Sequence, residues 1–230
     1  MTRIWALALA MVALSACRGE DAAPPPVEES ADPMEDVAVA GPERRVLAFG
    51  DSLFAAYGLS DAEGYPARLE RALRADGINA RVIDAGVSGD TTSAGAGRIG
   101  YVLDEAGETP DLAIISLGGN DLLRGLSPQE TRANLDRIMG TLTRRGVPIL
   151  LYGLQAPPNL GSEYTAPFDA IYADLAEQYD AALVPFWLEP VASRADLVQD
   201  DRIHPTAEGI EVLVDYTADD VAAALRQEDS

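Results

Sequence analysis

"LAFGDSLFAAYGL", residues 47–59, ends a hydrophobic run at Gly50, sets Asp51 and Ser52 directly after it, and then returns to apolar residues. A short, continuously apolar run is the pattern of a strand buried on both faces, as in a parallel sheet covered by helices. An acid and a hydroxyl do not belong in such a core. Open parallel sheets take their ligands beyond the carboxyl ends of the strands. The stretch therefore predicts a fold and points to one edge of it.

Four more apolar runs, at 81–84, 112–117, 148–152 and 183–186, join 46–49 as predicted strands. Between them lie "YPARLERALRADG" (65–77), "TTSAGAGRIGYVLDEAG" (91–107), "SPQETRANLDRIMGTLTRRG" (127–146) and "TAPFDAIYADLAEQYD" (165–180). Each carries apolar residues at helical spacing, and a last helix is expected over about 205–225. Alternating strands and helices predict an α/β fold: a three-layer α/β/α sandwich around a central, mostly parallel, five-stranded sheet. "NLGSEYTAP" (159–167) reads as a longer loop that walls a site. No internal repeat is present.

A chain of 230 residues with 47 % hydrophobic content is long enough for one domain with a sizeable core. A formal charge of -21 and a pI near 4.2 argue against nucleic acid as a partner. Cys17 and His204 are the only cysteine and histidine. An internal disulfide is excluded, and so is a zinc site of the usual Cys/His kind unless carboxylates or a second chain contribute. No metal and no cofactor are expected.

The first residues, "MTRIWALALAMVALSAC", have a basic start at Arg3 and an apolar run from Ile4 to Leu14, too short to span a bilayer, which takes ~20 residues. Residues 1–16 are read as a signal peptide. The ending Leu14-Ser15-Ala16-Cys17 resembles the bacterial lipoprotein box, which implies cleavage before Cys17 and lipidation of its thiol. The alternative is an ordinary secretory signal beside a chance cysteine. Residues 17–43, rich in Pro, Ala and acids, are read as a disordered tether, and 44–230 as the folded domain. The expected location is the bacterial cell envelope, facing the periplasm and held to a membrane by lipid at Cys17. Arg18, where an Asp would signal retention at the inner membrane, favours the outer membrane by the same resemblance.

At the strand ends stand Gly50-Asp51-Ser52, then "AGVSGDT" with Gly86 and Gly89, then Gly118-Gly119-Asn120-Asp121, and finally "DDRIHP" with Asp201 three residues before His204. Ser52 is the candidate nucleophile. A serine hydroxyl is weak until a base takes its proton, and His204 is the one imidazole available. An ordinary imidazole pKa of roughly 6.5 suits general base and then general acid work. Asp201 is placed to accept a bond from the other ring nitrogen. The N–H of Ser52, the N–H of Gly89 and the side-chain amide of Asn120 are candidate donors to an oxyanion.

Two other patterns carry less. Gly95-Ala96-Gly97-Arg98-Ile99-Gly100 fits the G-x-G-x-x-G dinucleotide fingerprint but lies inside a helical stretch and does not follow a strand, so it is read as a close-packing helix face. The G-x-S-x-G elbow of α/β-hydrolases is absent around Ser52.

Taken in order, Gly50-Asp51-Ser52-Leu53, Gly89 in "VSGDT", Gly118-Gly119-Asn120-Asp121 and Asp201-Arg202-Ile203-His204 resemble the four blocks of the SGNH (GDSL-type) hydrolase family. "FGDSLFAAYGL", "LGGNDLLRGL" and "QDDRIHP" are closer still to its bacterial arylesterases, lysophospholipases and acyl-CoA thioesterases. The resemblance implies a flavodoxin-like fold and a serine esterase working through an acyl-Ser52 intermediate on a small acyl ester, with Asp51 ordering the turn and not serving as the triad acid. Thioester or lysophospholipid cleavage by the same site is the alternative, and a non-catalytic acyl-binding lipoprotein is a third reading. Leu53, Ala55, Leu122, Leu154 and Pro157 suggest an apolar acyl pocket or plain packing. Oligomeric state is left open.

Overall fold

The computed structural model describes residues 39–227; the expected signal peptide, Cys17 and the tether up to residue 38 lie outside the described residues. Five strands, β1 (Arg44–Gly50), β2 (Ala80–Gly86), β3 (Leu112–Ser116), β4 (Ile149–Tyr152) and β5 (Ala182–Val184), form one sheet in the order β2-β1-β3-β4-β5. Every pairing is parallel. The apolar runs explain this: Val46, Leu47, Ala48 and Phe49 of β1 and Ile114 and Ile115 of β3 are fully buried, as central strands covered on both faces must be.

Among the described residues seven α-helices connect and cover the strands: α1 (Tyr65–Ala75), α2 (Thr92–Glu105), α3 (Gly119–Leu123), α4 (Pro128–Arg144), α5 (Ser162–Tyr179), α6 (Glu189–Ala192) and α7 (Ala207–Gln227). Packing of α1 on α7, and of α4 on both α2 and α5, builds the two outer layers. Local rules set the helix starts. In α4 the Ser127 hydroxyl accepts from the Glu130 N–H while the Glu130 carboxylate accepts from the Ser127 N–H, a reciprocal cap followed by Pro128. Across the layers, Tyr65 of α1 shares hydrogen bonds of 2.6 Å with Tyr152 of β4 and with Thr217 of α7.

Two expectations change. Residues 159–167 are not one long loop: a 3-10 turn at Pro158–Leu160 leads into α5, which starts at Ser162 and contains Pro167. Pro167 is the sixth residue of α5, where its ring removes a single backbone bond near the helix start. The glycines of 95–100 do not form a continuous packed face either. A side chain at Gly95 would run into Leu117 and Phe49, whereas Gly97 and Gly100 face open space. No helix among the described residues is long and apolar enough to cross a membrane.

Parallel strands point their carboxyl ends the same way, so Gly50, Gly86 and Ser116 stand side by side in the register. The strand-end motifs of three crossovers therefore meet at one edge. The contrast within α2 is testable. Gly95→Ala should destabilise by roughly 1–3 kcal/mol through overpacking, and Gly97→Ala should stabilise by about 0.5–1 kcal/mol through helix propensity. Thermal unfolding at about 2–4 °C per kcal/mol resolves both, and equal shifts would contradict the packing described.

Candidate active site

Ser52 lies in the chain of turns over residues 51–59 that follows β1. This segment is long and irregular, with Ala56 held at φ 49° and α1 starting only at Tyr65. His204 stands between α6 and α7, in a loop closed by Gln199 N–H donating to His204 O (2.8 Å). The two meet: Ser52 Oγ and His204 Nε2 are 2.8 Å apart, though 152 residues separate them in the chain.

On the other side of the ring, His204 Nδ1 lies 2.5 Å from Asp201 Oδ2. Oδ1 of the same carboxylate accepts from the Ile203 and His204 N–H groups at 2.9 and 3.0 Å, so Asp201 closes its own turn while holding the imidazole. These bonds, the His204 side chain first, lower the Asp201 pKa to about 2. An ionised carboxylate only accepts, which places a proton on Nδ1 and leaves Nε2 to accept from the Ser52 hydroxyl. The structure thus brings Ser52, His204 and Asp201 together in one chain of hydrogen bonds.

Asn120 occupies the second position of α3, a five-residue helix too short to give a periodic signal. Its side-chain amide donates to Asp51 Oδ2 at 3.2 Å, and Asp51 Oδ1 accepts from the Leu53 N–H at 3.1 Å. Asp51 thus braces the turn that carries Ser52 and also orients Asn120, a contact its sequence position did not reveal. The carboxyl is 3 % exposed. Burial raises its pKa from 3.8 to about 6, against the smaller opposing effects of Leu53, Asn120 and His204. The neighbouring Asp121 is fully buried and accepts from Thr92 N–H (2.8 Å) and Thr92 Oγ1 (2.5 Å), locking the asparagine block to the start of α2.

Gly89 sits at φ 85° in a turn closed by Asp90 N–H donating to Val87 O, and Val87 N–H donates to Gly50 O. The left-handed backbone there favours glycine. Among the described residues, neither the Ser52 N–H nor the Gly89 N–H has an acceptor. With the second hydrogen of the Asn120 amide, these are groups with bonding capacity left over.

Two supports escaped the sequence. Tyr57 stacks on His204, ring centroids 4.2 Å apart, and Gln199 Nε2 donates to Tyr57 O and Pro205 O, tying the histidine loop to the turns that carry Ser52. Only an aromatic five residues after the serine could have hinted at this. Of the residues considered for an acyl pocket, Leu53 and Leu154 belong to the hydrophobic core, Leu122 packs partly against it, and Pro157 is exposed. Clefts beside Asp104 and Arg145, and beside Thr143 and Tyr179, lie at the opposite edge of the sheet and hold no comparable pair of groups. Among the described residues no cluster of His, Cys, Asp or Glu could hold a metal ion.

Comparison with known proteins gives the family and the fold. Residues 48–212 match the GDSL-like Lipase/Acylhydrolase family. The chain belongs to that family. Esterase TesA of Pseudomonas aeruginosa is 41 % identical over 160 residues, covering 70 % of this chain and 79 % of that one. The arylesterase of Vibrio mimicus is 35 % identical, covering 79 % and 90 %. Thioesterase 1/protease 1/lysophospholipase L1 of Escherichia coli K12 is 35 % identical, covering 75 % and 81 %. Among solved structures, AlinE4, an esterase of the SGNH-hydrolase family, is 62 % identical with a TM-score of 0.69, over 81 % of this chain and 98 % of its own. The fold of this GDSL-family chain is that of the SGNH esterases.

Burial of Asp51 has a consequence for stability. Its folded-state pKa is raised, so the native state holds the proton more tightly than the unfolded chain. Its contribution is fully present below about pH 4 and is lost as pH rises through about 6. Asp51→Asn removes this slope. Relative to the wild type, its unfolding free energy should therefore rise between pH 4 and pH 7, and its kcat should fall as Asn120 loses its charged partner. Parallel stability-against-pH curves for the two proteins would contradict the assignment.

Proposed function

We propose that Ser52, His204 and Asp201 are the catalytic residues of a serine esterase, with the Ser52 N–H, the Gly89 N–H and the Asn120 amide as its oxyanion hole. The observation that carries this is the 2.8 Å contact between the serine hydroxyl and an imidazole nitrogen whose tautomer is set by an ionised carboxylate. His204 Nε2 takes the hydroxyl proton as Oγ attacks the ester carbonyl carbon. The carbonyl oxygen becomes an oxyanion and accepts from the waiting donors. Collapse breaks the ester C–O bond, and the imidazolium returns its proton to the departing alcohol oxygen. Acyl-Ser52 is then hydrolysed by water, with His204 again the base.

The esterases named above support this reading. In AlinE4, the serine and aspartate replaced by alanine in two solved variants are separated along the chain by as many residues as Ser52 and Asp201 are here. A carboxylic ester, aryl or of short to medium acyl chain, is the substrate class favoured. The Escherichia coli relative's name supports thioester or lysophospholipid cleavage as a second reading of the same machinery. A serine so clearly poised against a base disfavours the non-catalytic acyl-binding reading.

With purified protein and p-nitrophenyl butyrate, Ser52→Ala and His204→Ala should each abolish most turnover, and Asn120→Ala should lower kcat by roughly 10² to 10³. Undiminished activity of Ser52→Ala would end the proposal. Comparison of kcat/KM on an aryl ester, an acyl-CoA and a lysophospholipid orders the substrate readings.

For location, the proposal is a signal peptide at 1–16, a lipid anchor at Cys17, a tether over 17–43 and a periplasm-facing domain from 44, at the outer membrane. Labelled palmitate should enter the wild type and not Cys17→Ser; equal incorporation would refute the anchor.

A further inference from the structure

The turn that presents the Gly89 N–H has little of its own to hold it. Val87 is 44 % exposed, Ser88 is exposed, and Gly89 has no side chain. Two guanidinium groups reach it from different elements. Arg124, at the end of α3, donates from Nη2 to Gly89 O at 2.8 Å. Arg98, in the middle of α2, donates from Nε to Asp90 Oδ2 at 2.6 Å and from Nη2 to Gly50 O at 2.9 Å, with its carbon 4.0 Å from the centroid of the Phe49 ring. Arg98 and its partner Asp90 are largely buried, their side chains 20 % and 13 % exposed. Gly50 O thus accepts from both Arg98 and the Val87 N–H.

We propose that Arg98 and Arg124 are positioning residues that lock the Gly89 N–H into register with the other two oxyanion donors. Gly50 O belongs to the strand end that carries Ser52, so Arg98 couples the glycine turn to the nucleophile turn. Arg124 follows the helix that carries Asn120, so it couples the same turn to the asparagine block. This rests on the reading of Gly89 as an oxyanion donor and adds what holds it there. It also gives a function to the arginine inside the G-x-G-x-x-G segment.

The forked guanidinium matters at Arg98, because one planar group makes two bonds to acceptors fixed on different segments. A lysine carries the same charge, but its three donors sit on one nitrogen and cannot reproduce the spaced, planar pair of bonds that Nε and Nη2 make. A donor displaced by about 1 Å costs on the order of 10²-fold in rate, so the effect should fall on kcat and leave ground-state binding alone. Arg124 lies at the exposed rim, where its bond is weaker, and its loss should cost less.

The test uses the full chain with p-nitrophenyl butyrate, and the Gly89 amide resonance before and after phosphonylation of Ser52 by a p-nitrophenyl alkylphosphonate, whose phosphoryl oxygen stands in for the oxyanion. Arg98→Met should lower kcat by on the order of 10- to 100-fold with KM within about twofold. Arg98→Lys should recover part of the loss, and Arg124→Ala should lower kcat by roughly threefold to tenfold. In the wild type the Gly89 amide proton should move downfield on phosphonylation; in Arg98→Met and Arg124→Ala it should move less. Should Arg98→Met not fold, Arg98→Lys and the exposed Arg124→Ala carry the same comparison. A full downfield shift and unchanged kcat in both Arg98→Lys and Arg124→Ala would overturn the proposal while leaving Gly89 as a donor. No Gly89 shift in the phosphonylated wild type, or no phosphonylation of Ser52, would remove the underlying reading and this proposal with it.

Discussion

A serine hydroxyl reacts only if its proton has somewhere to go, and this chain holds a single imidazole to receive it. The 2.8 Å contact between Ser52 and His204 joins the turn after the first strand to the loop before the last helix. Almost everything between them serves to make that contact. A fully parallel sheet puts the carboxyl ends of all strands at one edge, so segments far apart in sequence become neighbours without any of them being long. The histidine loop is then pinned from three sides, by the Asp201 carboxylate, by Gln199 and by the Tyr57 ring.

The same edge gathers carboxylates, and the surroundings of two of them move their pKa values in opposite directions. Asp201 is partly exposed and bonded to an imidazole and two N–H groups, and its pKa falls to about 2. Asp51 is buried and its pKa rises to about 6. Both serve as acceptors for groups around Ser52, but Asp51 does so against the desolvation of its own charge. A buried acid kept where an amide or an apolar residue would stabilise the fold is the kind of local conflict that functional sites carry. Its bond to Asn120 supplies a reason under the proposed mechanism: the amide proposed to meet a developing negative charge is held by a carboxylate oxygen through its other hydrogen.

Much of this was legible from residue types and spacing. The central strands were plain because burial on both faces leaves continuous apolar runs, and Ser52 and Asn120 drew notice as polar residues just past strand ends, His204 as the one imidazole of the chain with Asp201 three residues before it. The shorter elements were not. β5 stops at Val184, and Pro185, which has no N–H to donate, follows it directly. The five residues of α3 are too few for a periodicity, and Pro167 concealed the start of α5. The supports of the site were hidden for a different reason. Asp51 on Asn120, Tyr57 on His204 and Arg98 across to Gly50 are contacts between elements, and their partners follow no fixed spacing along the chain.

Because the chain has one histidine, nitrogen NMR of untagged protein reports on this contact without ambiguity. With histidine labelled at both ring nitrogens, the account predicts a protonated Nδ1 and an unprotonated, hydrogen-bonded Nε2 at pH 8. Ser52→Ala should shift the Nε2 signal and leave Nδ1 nearly unmoved, while Asp201→Asn should do the reverse. An imidazole whose two nitrogen signals are the same in the wild type and in both variants would mean that His204 bridges neither group, and the site described here would not exist.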